Sequence, residues 1–192
     1  MVIEKLETYE WGWRSLADQH HLSKNIIQTI GSIDEQGKME GQITISSFDY
    51  ARLSRALTAK KGKEKFTEKY LTEPGVAVED LSFENLDSDS LPLVQKIKFT
   101  QSLNSSGDYK HFSANILSGF GENPFVADNR FSDVFFGARQ TYLFLGNFSI
   151  PEGYELEALP KNMKMIMPDT SIVISRASQF DNNTLQTRIQ LE

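Results

Sequence analysis

Short segments in which apolar and polar residues alternate recur along this chain, and they constrain its fold more than any other feature. The stretch at 25–45 shows the pattern twice, on either side of "EQGK" at 35–38. Strict alternation points successive side chains to opposite faces, which is typical of a half-buried strand. Gly37 can take the positive φ that a tight turn needs. This stretch therefore predicts a β-hairpin.

Further alternating segments follow from residue 75 to the end, separated by the turn sequences "DSDS", "PEGY" and "DNN". The last segment shows the pattern most clearly. Its inward positions are Leu185, Thr187, Ile189 and Leu191, and its outward positions are Gln186, Arg188 and Gln190. Strands at this spacing predict a mainly β fold, an antiparallel β-sandwich of jelly-roll-like or immunoglobulin-like character.

The period changes between residues 46 and 71, where apolar residues recur at helical spacing. Tyr50, Leu53 and Leu57 fall on one stripe of a helix, which we expect to face the core. Phe66 and Tyr70, four residues apart, mark a second short helix. We interpret this segment as a helical insertion in a β domain.

The domain organisation follows from where these periods begin. Residues 1–24 show no clean period and are interpreted as a connecting arm. Residues 25–190 are interpreted as a single β-sandwich domain that carries the helical insertion at about 46–71.

The charge and the absence of cysteine exclude several classes of function. With 20 basic and 26 acidic residues the net charge is −6, which disfavours a nucleic-acid binder because such proteins need a basic surface. A chain with no cysteine has no disulfide, no thiolate metal site and no cysteine nucleophile.

The chain has no run of about 18 apolar residues, so we expect no membrane span. The N-terminal "MVIEKLETYEWGW" lacks the apolar core of a signal peptide. Two alternatives remain open at this point: a cytoplasmic protein, or an internal piece of a longer secreted chain.

Catalytic and metal-binding patterns are missing from the sequence. His20 and His21 are adjacent and diverge on any regular element, and His111 is the only other histidine. No GxSxG motif is present. We therefore expect no catalytic residue, no cofactor and no bound metal, and hence no enzyme activity. A carboxylate pair for glycoside hydrolysis meets only in space, and the sequence leaves that alternative open.

Two places qualify as candidate interaction surfaces. Trp11 and Trp13 could stack on a sugar or tether a neighbouring domain. The stretch "NPFVADNRFSDVFFG" at 123–137 places Arg130 and Asp133 among four phenylalanines. Its conformation-fixing residues outnumber its plausible ligands, and we interpret it as scaffolding with a salt-bridged turn.

The stretch "ENPFVADNRFSDVFFGARQTYLFLGNFSIPEGYELEALP" resembles the C-terminal β domain of bacterial transglutaminase-like proteins of the Bacteroidetes type. "GKMEGQITISSFDYARLSRAL" and "VEDLSFENLDSDSLPL", further upstream, are similar to the same group. The matching residues of the first stretch are Asn123, Pro124, Phe125, Arg130, Phe136, Gly137, Ile150–Glu155 and Leu159–Pro160.

The resemblance implies a function without catalysis in this chain. In that family the catalytic Cys, His and Asp belong to a preceding transglutaminase-like domain, and this chain has no cysteine. It implies a non-catalytic accessory domain of the cell envelope that docks the preceding domain or positions its protein or peptide substrate. The implied location is periplasmic or extracellular, as part of a longer exported protein. The alternatives are a carbohydrate-binding module of the cell envelope and, more remotely, a metal-dependent enzyme.

Overall fold

The structure is a computed structural model, and it describes residues 2–5, 11–14, 22–119 and 137–192. The helices in this part of the chain are α1 (Asp49–Ala59) and α2 (Lys63–Tyr70). The strands in this part are β1 (Val2–Lys5), β2 (Trp11–Arg14), β3 (Ser23–Ile33), β4 (Lys38–Phe48), β5 (Val76–Glu84), β6 (Leu93–Ser102), β7 (Asn104–Ser106), β8 (Tyr109–His111), β9 (Gln140–Ser149), β10 (Met163–Ile166), β11 (Val173–Asp181) and β12 (Thr184–Leu191).

Eight of these strands form one large sheet, in the order β10-β11-β12-β9-β3-β4-β6-β5. Two smaller sheets pair β1 with β2 and β7 with β8. The expectation of a mainly β fold is therefore confirmed. The expectation of purely antiparallel pairing is corrected at one place, because β3 and β9 run parallel. Parallel neighbours need a long crossover connection, here the whole chain between β3 and β9, and no local sequence pattern specifies such a pairing.

The hairpin predicted around "EQGK" is present as β3 and β4, paired antiparallel from Ile33↔Met39 onward. Gly37 has φ 81°, the left-handed conformation that favours glycine. Asp34 stabilises the turn with two hydrogen bonds. Its carboxylate accepts one from the backbone N–H of Lys38 at 2.7 Å, and its backbone carbonyl accepts one from the N–H of Gly37. The local sequence was sufficient here because the turn chemistry and the alternation agree.

One face of the large sheet carries the hydrophobic core. Phe66 from α2 packs edge-on against Phe83 and tilted against Tyr70, with ring centroids 4.9 Å apart in each pair. Phe112 lies 5.4 Å from Phe148 of β9. The strand residues buried on this face include Ile27, Met39, Ile43, Ile45, Ile97, Phe99, Phe144, Phe148 and Leu185. We call this the covered face of the sheet.

The apolar stripe expected on α1 does not face the core. Tyr50, Leu53 and Leu57 are between 44% and 57% exposed. The helix instead buries its alanines, such as Ala51 and Ala59. Small side chains let the helix approach the sheet closely, and a polar contact beneath the helix, described below, decides its rotation. The hydrophobic period alone therefore predicted the wrong side of α1.

The segment interpreted as a connecting arm contains the strands β1 and β2, paired antiparallel from Val2↔Arg14 to Lys5↔Trp11. Among the residues that the structure describes, no helix is long and apolar enough to cross a membrane.

Candidate binding groove on the open face of the sheet

The second face of the large sheet, which we call the open face, presents polar side chains on strands whose other side is core. Along β3, Ile27 is buried on the covered face, whereas Ile30 points the other way and is 66% exposed. Along β12, Leu185 and Thr187 are buried and Gln186 and Arg188 are exposed. Two of the three outward positions inferred for the last strand, Gln186 and Arg188, are therefore confirmed, and the third, Gln190, is half-buried.

A groove of about 610 Å³ lies on the open face, across β4, β3, β9, β12 and β11. That volume falls within the range of ligand sites in proteins. Amide side chains dominate its lining. They are Gln28, Gln42, Asn147, Asn162, Gln179 and Gln186. Arg188 is the single charged side chain among the lining residues.

The strand register aligns several of these amides into one row. Ile30 pairs with Gln42 on one side and with Asn147 on the other. Asn147 pairs with Gln186, and Gln186 pairs with Gln179. Neighbouring strands lie about 4.8 Å apart, so this row of five residues spans roughly 19 Å. We call these five residues the amide row.

A second row lies beside it on the same five strands, two residues along each strand. Gln28 pairs with Thr44 and with Leu145, and Leu145 pairs with Arg188, which pairs with Ala177. This row mixes an amide, a hydroxyl, two apolar side chains and a guanidinium. The apolar Leu145, together with Ile30 of the amide row, gives the groove a floor on which an uncharged ligand can rest.

Hydrogen bonds within the groove leave capacity for a ligand. Gln179 donates to Gln186, and Gln42 Nε2 donates to Thr44 Oγ1 over a long 3.4 Å. Within the described part of the chain, the side chains of Gln28 and Asn147 make no hydrogen bond. An amide offers two N–H donors and a carbonyl acceptor, so the groove presents donors and acceptors of both kinds.

A hydrogen bond to β11 holds the side chain of Asn162, which lines the groove. Its Oδ1 accepts a hydrogen bond from Ser178 N at 2.7 Å, just before β10 begins. The side chain thereby replaces the ladder partner that β10 does not supply, and the backbone amide of β11 stays satisfied.

A buried polar network lies on the opposite, covered face beneath α1. Arg55 Nη1 donates to Gln95 Oε1 at 2.7 Å, and Gln95 Nε2 donates to Ser47 Oγ at 3.0 Å. Ser47 Oγ in turn donates to Asn25 Oδ1 at 2.7 Å. The guanidinium of Arg55 also lies over the ring of Tyr70, 4.6 Å from its centroid. This network fixes the side of α1 that faces the sheet.

Burial lowers the pKa of Arg55, and the phenols of Tyr70 and Tyr142 oppose that effect. Burial also raises the pKa of Tyr142, against the charge of Arg55. Within the described residues no carboxylate forms an ion pair with Arg55. The network is thus held by one hydrogen bond from the charged guanidinium, by hydrogen bonds between neutral side chains and by a cation–π contact, and these contacts are those of a structural anchor.

The groove lining that the structure describes includes none of the residues predicted as interaction surface. Trp11 and Trp13 are in β2, where only the strand itself is described. Arg130 and Asp133 lie outside the described residues, as does most of the stretch at 123–137. Their roles stay predictions. In the described ranges no group of three His, Cys, Asp or Glu side chains could hold a metal ion, and His111 is exposed in β8.

The sequence analysis did not predict the groove, although it identified two of its lining residues as outward positions. The outward Gln186 and Arg188 were visible in the alternation of β12. Asn147, Gln42 and Gln28 sit on strands distant in the sequence, and only the register brings them beside Gln186. The available signal was a recurrence of amides at outward strand positions.

No protein-family model, no curated protein and no solved structure matches this chain.

Proposed function

We propose that this chain is a non-catalytic interaction domain, and that the groove on its open face receives an extended, uncharged polypeptide segment. The amide row is the observation that carries the proposal. A peptide group offers one N–H donor and one C=O acceptor, and an amide side chain offers the complementary pair. An extended segment lying across the five strands meets such a side chain on four of them.

The composition of the groove selects against strongly charged segments. Arg188 is its single charged lining residue, so an acidic or basic side chain has one partner or none there. Burying an unpaired charge costs several kcal/mol, on the order of what a whole small interface contributes. A segment rich in Asn, Gln, Ser, Thr and small apolar residues fits best.

The resemblance to transglutaminase-like proteins suggests where that segment comes from. We propose that it belongs to a preceding transglutaminase-like domain or to that domain's protein substrate, in a periplasmic or extracellular protein. The support is the order and spacing of the motifs between residues 25 and 190. The finer fold assignment, a jelly-roll-like or immunoglobulin-like sandwich, also belongs to this proposal, and it requires a second sheet against the large one.

A carbohydrate-binding function is the second candidate, and the same amide row favours it. Neutral amides pair with sugar hydroxyls, and Ile30 and Leu145 give an apolar floor. The groove lining that the structure describes includes no aromatic ring on which a sugar could stack, which places this candidate second.

Calorimetric titration of the full chain tests the proposal, with a panel of unstructured uncharged peptides and a panel of neutral oligosaccharides. We expect peptide binding that weakens at least about tenfold in the double variant Asn147→Ala/Gln186→Ala, since each lost hydrogen bond contributes about 0.5–1.5 kcal/mol. Ser82→Ala, exposed on β5 outside the groove, is the matched control.

Three results contradict the proposal in different ways. Peptide binding that the double variant leaves unchanged would place the site elsewhere. Oligosaccharide binding lost in the same variant, without peptide binding, would establish the second candidate. Hydrolysis or cross-linking of a peptide by the purified chain alone would show a catalytic protein.

A further inference from the structure

The two edges of the eight-stranded sheet differ in how they discourage pairing with another strand. The β5 edge carries Glu79, Asp80 and Glu84, and its ladder is interrupted by a register shift between Val78 and Asp80. Charges and bulges on an edge strand are the usual devices against pairing with a further strand. This edge is protected.

The β10 edge has no register shift and carries fewer charges than the β5 edge. Its register with β11 is regular from Met163↔Arg176 to Ile166↔Val173. Met165 and Ile166 are each 53% exposed, although they point to opposite faces of the sheet, and Met167 is 49% exposed. Lys164 is the one charged residue of the strand. An edge that is regular and exposes an apolar side chain on each face, here Met165 and Ile166, is a template for another strand.

The direction of the free backbone groups follows from one hydrogen bond. Met167 N donates to Ile172 O at 3.0 Å, so the backbone groups of Met167 point toward β11. Alternation along the strand turns those of Met165 the same way. The N–H and C=O groups of Lys164 and Ile166 therefore point outward, to the side on which no strand of the described residues pairs with β10.

We propose that the β10 edge pairs with the β10 edge of a second copy of this chain. Identical strands pair antiparallel about a two-fold axis perpendicular to the sheet, which keeps the covered faces of both copies on one side. Two residues that lie opposite each other across the interface must then be on the same face of the sheet. A residue on the axis lies opposite the same residue of the second copy. The pairing extends the sheet from eight to sixteen strands.

The chemistry selects one register. With Lys164 on the axis, two ammonium groups would lie opposite each other, which is destabilising. With Ile166 on the axis, Lys164 would lie opposite Pro168, which has no N–H to donate. With Met165 on the axis, Lys164 lies opposite Ile166 of the second copy, and these residues exchange four backbone hydrogen bonds over the two-fold.

This register also suits the side chains, which argues for a second copy as the occupant. The two Met165 side chains meet on the covered side. On the open side the aliphatic stem of Lys164 packs beside Ile166 of the second copy while its charge stays in water. The outward backbone groups of Lys164 and Ile166 all find hydrogen-bond partners in the same two residues of the second copy.

Disulfide trapping tests the pairing and its register, and the chain's lack of cysteine gives a clean background. Residues on the axis form a non-hydrogen-bonded pair with Cα atoms about 4.5 Å apart, close enough for a disulfide. Under mild oxidation we expect Met165→Cys to convert to a covalent dimer. Ala77→Cys, exposed on the β5 edge, is the matched control and should stay monomeric.

Sedimentation velocity of the full chain gives the second measurement. We expect a monomer–dimer equilibrium that salt strengthens, because each copy carries a net charge of −6. Ile166→Pro removes an outward N–H without touching the β10–β11 ladder, and Met165→Lys sets two charges on the axis. Both should abolish the dimer, with unfolding curves that show an intact fold.

A chain that sediments as a monomer at every concentration and does not cross-link through Met165→Cys overturns the proposal. A dimer that survives both Ile166→Pro and Met165→Lys overturns it as well, because its interface then lies elsewhere. Groove variants such as Asn147→Ala/Gln186→Ala should leave the dimer unchanged, which separates this test from that of peptide binding.

Discussion

The covered and open faces of the large sheet are built from the same strands, yet they follow different rules. On β3 the side chain of Ile27 is 2% exposed and that of Ile30 is 66% exposed, three residues away. On β6 and β12, Gln95 is buried within hydrogen bonds, whereas Gln186 lines an open groove. One residue type thus holds the fold on one face and is free to meet a ligand on the other.

The difference follows from where the amides of each face find their hydrogen-bond partners. A buried amide such as Gln95 must have its partners within the protein, because an unsatisfied polar group there costs about 1–3 kcal/mol. An exposed amide bonds to water at little cost and can trade that water for a ligand. Matched substitutions on the two faces should therefore separate stability from binding.

The largest contrast should come from the two isoleucines of β3. Ile27→Ala removes buried methyl groups from the core and should lower the free energy of unfolding by about 3 kcal/mol. Ile30→Ala should change it by less than about 0.5 kcal/mol. Denaturant unfolding of both variants measures the difference. Equal losses would show that the open face is covered in the folded protein.

A smaller contrast is expected for two glutamines. Gln95→Ala removes the amide that donates to the Ser47 hydroxyl and the oxygen that accepts from the Arg55 guanidinium, and it should cost about 2 kcal/mol. Gln28→Ala, on the open face, should cost less than about 0.5 kcal/mol. The same unfolding curves report both. If Gln95→Ala were harmless, the network under α1 would not be what orients that helix.

Two threonines give the next contrast. The hydroxyl groups of Thr187 and Ser178 lie 3.1 Å apart and are buried. Thr187→Val leaves the Ser178 hydroxyl without that partner and should cost about 1 kcal/mol. The Thr44 hydroxyl accepts a long 3.4 Å bond from Gln42 on the open face, and Thr44→Val should change the free energy of unfolding by less than about 0.5 kcal/mol. A larger loss of unfolding free energy for Thr44→Val than for Thr187→Val would contradict this expectation.

The smallest expected effect is a separation of two tyrosine titrations on the covered face. Burial raises the pKa of Tyr142. Burial acts in the same sense on Tyr70, but hydrogen bonds with Ser54, Thr58 and Lys69 outweigh it and lower the pKa of Tyr70. In ultraviolet titration, Tyr142→Phe should remove amplitude at the high-pH end and Tyr70→Phe at the low-pH end. The reverse order would contradict these surroundings.

The sign of the linked stability follows from the same shift. Because the folded-state pKa of Tyr142 lies above its unfolded value of about 10, the neutral phenol stabilises the fold below that pH. This contribution is lost as the pH rises through the folded-state pKa. Tyr142→Phe, which has no titrating group, should lose less stability over that alkaline range than the parent chain does.

Local patterns in the sequence were sufficient where turn chemistry and alternation agree. The β3–β4 hairpin with Gly37 at its turn was predictable for that reason, and the spacing of Phe66 and Tyr70 was sufficient to predict the short helix α2. The rotation of α1 was not predictable. Arg55 reaches a buried partner forty positions away in the sequence, and that bond prevails over the apolar stripe through Leu53 and Leu57.

The candidate site was predictable only in part. Alternation showed that Gln186 and Arg188 face outward on β12, but their neighbours in the groove belong to β3, β4, β9 and β11. The residues expected to form an interaction surface, Arg130 and Asp133, lie outside the described residues, and Trp11 and Trp13 are known here only as strand positions.

Local alternation of apolar and polar residues was enough to predict the mainly β character and the outward direction of Gln186 and Arg188, because a period of two does not depend on which strands are neighbours. The tertiary structure alone decided the parallel pairing of β3 with β9 and the alignment of the amide row. Register is set by long-range pairing and by burial of the covered face, and these depend on the whole sheet at once.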